Sequence, residues 1–461
     1  MRDDSLQERQ ESRRFYRAVV ALVIPMALQN LINVAVTSAD VVMLGRVGET
    51  VLSASSLAGQ VQFVMTLFFF GLTSGAAVLT AQYWGKGDIR TIEKVMGIAL
   101  RFSLLVSVLF TAAAWLVPEA IMRIFTPEPE VIQEGVRYLR IVSISYVLIA
   151  FTMIYLNIMR SVERVIISTV VYLVSFLVNV ILNAILIFGL LGFPALGIRG
   201  AAIATVCARA VELVIVLLYA YRPGTVVRLR LREIFSRDAL LFRDFIQYSI
   251  PVTLNELMWG LGISMNSVII GHLGSSVVAA NSVAQVTRQL ATVIAFGIAN
   301  AAAIMIGKAI GERNEERAKD YARRFLRLTL IAGAAGAVVI LIAWPIVLTT
   351  MNLTAAAKGY LSVMMCVMAY YSIAQSYNCT QVVGIFRSGG DTRFGLCLDV
   401  LSMWGGSILL GAACAFLLHW SVPIVYVVLL SDELIKIPFT TWRYRSMKWL
   451  RNVTRESSLE K

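Results

Sequence analysis

Long apolar runs alternate with short polar breaks along the whole chain. Twelve runs, at roughly residues 18–44, 52–80, 95–117, 135–159, 165–190, 199–221, 244–270, 278–306, 325–349, 358–384, 394–418 and 421–442, each have the length to cross a hydrocarbon core about 30 Å thick as an α-helix. Helices are required because backbone groups in lipid must pair within their own segment. The short alternating segments of a membrane barrel are absent. The pattern predicts an all-α membrane protein of twelve transmembrane helices.

The runs also repeat. Offsetting the sequence by 226 residues aligns 24–85 with 250–311 without a gap, with 18 identities in 62 positions. They include Pro25 with Pro251, Gly45 with Gly271, Gly48 with Gly274, Ala54 with Ala280, Ser56 with Ser282, Phe70 with Phe296, Gly71 with Gly297 and Gly85 with Gly311. Apolar composition alone does not align prolines and glycines in this way. Each half contains six runs, so both halves enter the membrane in the same orientation, as parallel repeats about an axis along the membrane normal. Between them lies a basic segment from Tyr221 to Arg243, with Pro223 and Gly224 and too little apolar length to span. The predicted organisation is an N-lobe over 1–221, a cytoplasmic linker over 222–243, a C-lobe over 244–442 and a basic tail over 443–461. Two lobes that rock about a central cleft expose it to each side in turn, the geometry of a secondary transporter, although architecture alone does not decide function.

Composition agrees: 58% of the 461 residues are hydrophobic and 15% charged, far from the usage of soluble domains. A net charge of +13 would suit nucleic acid, but its placement indicates a membrane side instead. Of 41 Lys and Arg, 33 fall in the N-terminal tail, in alternate loops with the run ends beside them, and in the C-terminal stretch from Lys436 on, counted with the tail, which by the positive-inside rule puts both termini in the cytoplasm and makes the span number even. The partners expected are membrane lipid and small molecules, with no nucleic acid, and the chain is expected to act as a monomer. Residues 1–17 are polar and the run after them is too long for a cleavable leader. The five cysteines sit inside apolar runs without ligand spacing and are read as small buried residues; His272 and His419 lie near helix ends, so no metal site is expected. No nucleophile and base pair suggests catalysis, so the chain is not read as an enzyme.

Charged side chains inside lipid-spanning helices cost about 2.5–3.5 kcal/mol each on insertion scales, and each therefore needs a reason. In the first run Gln29, Asn33, Thr37 and Asp40 are spaced four, four and three apart and form one stripe on a helix. Asp40 is either an acid satisfied at a packing seam or a carboxylate that takes up a proton or cation. The fifth run carries a second stripe, Ser175, Asn179 and Asn183. Counting about 1.5 Å per residue from the helix ends, Asp40, Asn183 and Thr205 of the sixth run all lie about 7–9 Å below the same boundary. They are expected to surround one site, with packing hydrogen bonds as the other reading. Tyr138, at the outer end of the fourth run, is placed to close it, or is an interfacial tyrosine. The second half differs: Asn266 stands at the position of Asp40, and Glu256 and Arg288 lie near mid-membrane as either an ion pair or a substrate or proton site. Arg209 and Glu212, three apart, read as a local pair. Methionines and aromatic residues along the runs suit a cleft for flat apolar ligands as well as ordinary packing.

With these residues in view, the whole chain resembles the multidrug and toxic compound extrusion (MATE) family. The resemblance is carried by Pro25 through Asp40 to Gly45, its echo from Pro251 to Gly271, the loop Arg387-Ser388-Gly389-Gly390-Asp391-Thr392-Arg393, and the passage with Asn179, Asn183, Gly197, Gly200, Ala201, Ala202 and Thr205. It implies a V-shaped pair of lobes in a prokaryotic inner membrane, without a cofactor, exporting cationic or amphipathic compounds in exchange for H⁺ or Na⁺. Asp40 matches the family's coupling carboxylate, and Asn179, Asn183 and Thr205 match the polar residues around it. Position 183 is Asn where one branch carries a second Asp. Trp259 stands where other branches carry a coupling Glu, and the tenth run has no acid. Asp40 is thus expected to couple transport, to protons rather than sodium, with Gln29, Asn33, Glu256, Arg288 and Asn266 as residues of a substrate or second-lobe site. A lipid-linked saccharide flippase is the alternative within the superfamily and requires more deep Arg and Lys than Arg209 and Arg288. A channel or scaffold is the alternative outside it.

Overall fold

A computed structural model describes residues 2–235, 238–350 and 354–455, which are predominantly helical with no strand among them. The first half contains α1 (Arg2–Val47), α2 (Glu49–Lys86), α3 (Ile89–Leu116), a short α4 (Pro118–Phe125), α5 (Pro129–Val142), α6 (Ile144–Ser161), α7 (Val165–Phe188) and α8 (Ile198–Ala220). After a single turn, α9 (Leu231–Ile234), come α10 (Ala239–His272), α11 (Ser275–Gly311), α12 (Glu315–Thr350) and α13 (Ala355–Cys379). Next are α14 (Thr392–Val400), α15 (Leu409–Ala412), α16 (Val422–Leu429) and α17 (Asp432–Arg445), with π-helical turns over Thr380–Phe386, Leu401–Ile408 and Ala413–Leu417.

Among the described residues nine helical stretches are long and apolar enough to cross a membrane. Three of the twelve predicted runs, on α10, α13 and α16 with α17, fall short of that measure. They hold Asn255 and Glu256, Gln375 and Asn378, and Asp432, Glu433 and Lys436. Their polarity has a local purpose, described below. The fourth run, predicted as one helix, is two that meet at Ser143. There α3 intervenes: Thr111 Oγ1 donates to the Ser143 carbonyl at 3.1 Å and the Trp115 indole to its hydroxyl at 3.0 Å, and such capture of a carbonyl breaks a helical ladder.

The repeat is visible in the elements. Pro25 lies inside α1 and Pro251 inside α10, where each removes a backbone donor and loosens the helix. Gly274 separates α10 from α11 at φ +119°, a conformation side chains resist. The chain forms two compact units: one comprises the segments up to Ala27, Ala81–Gly87 and Leu254 onward, the other Leu28–Thr80 and Asp88–Thr253. Both proline-bearing helices change unit two residues after their proline.

In the second of these units Met65, Phe69, Met122, Leu139 and Tyr146 pack one core. The linker folds back on it: Val227 and Leu229 are buried, Glu93 of α3 accepts from the Arg228 amide at 3.0 Å and pairs with Arg230 at 2.9 Å, and Tyr155 donates to the Val227 carbonyl. In the first unit Met364, Met365, Met368 and Tyr426 pack the main core. The C-terminal segment is strapped to it. Gln82 donates to the carbonyls of Ser388 and Arg451 at 2.7 and 3.1 Å and accepts from the Val453 amide at 2.8 Å, while Asn452 donates to Ile310. Elsewhere α3, α7, α8 and α12 expose large apolar side chains, Leu109, Ile166, Leu218 and Ile331 among them, a surface that suits lipid.

Candidate functional site

The α1 stripe meets α7 along one seam. Gln29, buried, donates to Thr169 Oγ1 at 2.8 Å and the Val165 carbonyl at 3.4 Å. Three turns further along, Asp40 Oδ1 accepts from Asn183 Nδ2 at 2.5 Å, and the same amide donates to Asn179 Oδ1 at 3.1 Å. Ser175, Asn179 and Asn183 are all buried; a stripe at every fourth position turns one helix face inward. Ser175 continues the seam to α8 by donating to the Ala208 carbonyl at 3.5 Å.

Tyr138 of α5 faces Asp40 and Thr205, while the Thr205 hydroxyl is turned back on the Ala201 carbonyl of its own helix at 3.0 Å. One turn along α8, Arg209 is bonded to the buried Glu212 at 2.6 Å and lies within electrostatic reach of Asp40. Five residues singled out from the sequence, Asp40, Tyr138, Asn179, Asn183 and Thr205, therefore converge. Gln29 belongs to the same seam at a distance, and Asn33 is exposed.

The two amide hydrogens of Asn183 are both used, on Asp40 and Asn179, and its Oδ1 is buried without a partner. Asp40 thus accepts a hydrogen bond from a neutral amide, an interaction that favours the ionised carboxylate. Among the described residues no three His, Cys, Asp or Glu side chains converge as a metal site.

The second half departs from the sequence reading. Glu256 is paired with Arg387 at 3.0 Å, not with Arg288. Arg288 instead donates to Gln285 at 3.1 and 2.9 Å and to Gln375 at 2.6 Å, and lies over the Tyr371 ring. The physical reason is reach. Arg387 sits at the end of the tenth run and is buried, so its side chain extends inward to Glu256, while Arg288 is satisfied by an amide one turn before it. Asn266, at the position of Asp40, leaves its Oδ1 buried and without a partner.

Sequence reasoning missed the most charged part of this half. Lys436 of α17 pairs with Asp399, Glu433 and Asp432 at 3.0, 3.1 and 3.4 Å. Asn255 donates to Asp399 at 2.9 Å and Asn378 to Glu433 at 2.8 Å. The signal was present: Asp432, Glu433 and Lys436 are three charges at helical spacing inside a run read as a span. Counting Lys436 with the basic tail concealed it.

The sequence model of the MatE family matches residues 25–185 and 251–413, two matches offset by the length of the internal repeat. A relative from Rhizobium meliloti (strain 1021), "Probable multidrug resistance protein NorM", is 27% identical over 325 residues, 70% of this chain and 69% of that protein. Its namesake from Bradyrhizobium diazoefficiens is 28% identical over 403 residues and 83% of each chain. Among solved structures, a MATE protein in the bent conformation superposes with a TM-score of 0.84 at 20% identity, over 94% of this chain and 96% of that one. A MOP superfamily transporter from Pyrococcus furiosus gives a TM-score of 0.83 at the same identity and coverage. These structural likenesses establish the fold.

Proposed function

The chain belongs to the MatE family of transporters, and on that premise we propose that it is a proton-coupled antiporter that exports small organic cations and amphipathic drugs by alternating access, with Asp40 as the coupling carboxylate. The observation that carries this reading is the Asp40–Asn183 hydrogen bond, in a buried seam that no ordinary packing function requires to contain an acid. An ionised carboxylate there is stabilised by the amide; protonation removes the charge and weakens the bond. The two protonation states therefore favour different packings of α1 on α7, and a conformational equilibrium responds only to such a difference.

Three features favour the proton over sodium. The Asn183 amide donates to Asp40, position 183 offers no second carboxylate, and Arg209 lies one turn from Thr205 and opposes a further cation. The flippase reading is weakened because Arg209 and Arg288, the deep arginines it would use on phosphate, are already held by Glu212 and by Gln285 and Gln375. The residues 1–221 and 244–442 serve as the two lobes, joined by the linker 222–243, in the inner membrane of a bacterium with both termini cytoplasmic.

The test is uptake of a fluorescent organic cation into proteoliposomes under a proton gradient alone and a sodium gradient alone. Uptake is expected with the first and absent with the second; uptake driven by sodium alone overturns the coupling assignment.

A further inference from the structure

The second half contains a charge cluster for which the Asp40 site has no use. Lys436 is 4% exposed and contacts three carboxylates, of which Asp432 and Glu433 are 4% and 7% exposed. Other ionisable groups face them. Glu256 stands opposite Arg387, and Arg288 faces the cluster across Tyr371. Tyr370, Tyr371 and Cys379 also border it but bring no positive charge, and Asp391 is already neutralised by Arg443. With every acid ionised, Asp399, Asp432, Glu433 and Glu256 would oppose Lys436, Arg387 and Arg288. The cluster is then short of one positive charge, and an uncompensated buried charge costs several kcal/mol.

A second observation indicates the same deficit. Asn255, 5% exposed, donates to Asp399 and leaves its own Oδ1 buried without a partner. At the far end, Gln381, fully buried, donates to Thr440 and leaves Oε1 unpartnered. Between them the bonds are continuous: Thr440 donates to Asn378, Asn378 to Glu433, and Lys436 joins Glu433 to Asp399. The chain ends in an unmatched buried acceptor on each side, and the one on Asn255 adjoins Asp399, so a hydrogen is lacking at that end as well as a charge. A single proton on the acids restores the charge balance and gives one carboxyl an O–H to donate.

We propose that this cluster is a second proton-binding site, which holds one proton shared among Asp399, Asp432 and Glu433 around Lys436. The proton belongs to the group rather than to any one acid. Its exchange route is through Asp399, whose side chain is 21% exposed while those of Lys436 and Asp432 are nearly closed off. The three polar helices of the second half, α10, α13 and α17, carry their polar residues for this network. In an exchanger driven through Asp40 this site adds a second proton to each cycle, a consequence that rests on the proposed function. Proton binding itself does not.

The experiment separates the two. Infrared difference spectra of the full chain in lipid, recorded between two pH values that both lie above the range in which exposed carboxyls titrate, report each buried carboxyl that gains a proton. Two sets of carboxyl bands are expected: one lost in Asp40→Asn, and another kept in Asp40→Asn but lost or shifted in both Asp399→Asn and Glu433→Gln. Removal of all carboxyl signal by Asp40→Asn alone overturns the second site whatever transport shows. Failure of the Asp40 band to appear, with the second set present, instead counts against the coupling assignment. Suppression of the second set by sodium would mean that a metal cation occupies the cluster, and would also overturn the proposal. Should Asp399→Asn fail to fold, Glu433→Gln decides alone: its loss of the second set supports the site, and an unchanged spectrum refutes it.

Discussion

Asp40 and Asn183 are separated by 143 residues in sequence and joined by one hydrogen bond. Replacing Asn183 with Leu removes a donor to a charged group, worth about 1.5–3 kcal/mol, so exchange is expected to slow by about tenfold or more while the protein still elutes as a folded species. Wild-type rates in Asn183→Leu would show that the bond has no part in coupling. This pair was legible in the sequence because spacing of four fixes a helix face and rise per residue fixes a depth. The partner of Glu256 was not. Arg387 lies 131 positions away, in the loop motif after the tenth run, and only the reach of a buried arginine brings it to the acid. Lys436 was hidden for a related reason: a lysine near a basic tail reads as tail until three carboxylates are seen around it.

At the scale of elements, the long helices and their repeat followed from apolar length and from aligned prolines and glycines. Where helices break was less legible, because the cause lies in another element, as with Thr111 and Trp115 acting on Ser143. The glycines Gly85 and Gly311, aligned by the repeat, have a reciprocal purpose. A Cβ at Gly85 would strike the Lys308 carbonyl of α11, and one at Gly311 would strike the Gln82 carbonyl of α2. The two helices cross backbone to backbone, a contact that only glycine permits. Gly59, in the middle of α2, has nothing within 4 Å. Gly85→Ala is therefore expected to lower the thermal midpoint, at a cost of about 1–3 kcal/mol for overpacking, while Gly59→Ala is neutral or stabilising by up to about 1 kcal/mol. Equal midpoints for the two variants, measured by fluorescence scanning in detergent, would contradict the close crossing.

For the molecule as a whole, two halves built on one pattern have come to carry different chemistry. The first places a single acid among neutral amides beside an arginine and glutamate pair. The second has Asn266 at the position of that acid and moves its charges to α17, α14 and α10. A scaffold that repeats therefore does not repeat its ion chemistry: the difference is set partly within the aligned segments, at Asn266 and Glu256, and partly by side chains of the last helices, which lie outside them. The account as a whole depends on Asp40 accepting and releasing a proton in step with substrate. The most direct measurement is substrate-driven proton movement in proteoliposomes, recorded with a pH-sensitive dye inside the vesicle, for the wild-type chain and Asp40→Asn. Addition of an organic cation is expected to move protons in the opposite direction through the wild type and to move none above background through Asp40→Asn. Undiminished proton exchange in that variant would contradict the central claim.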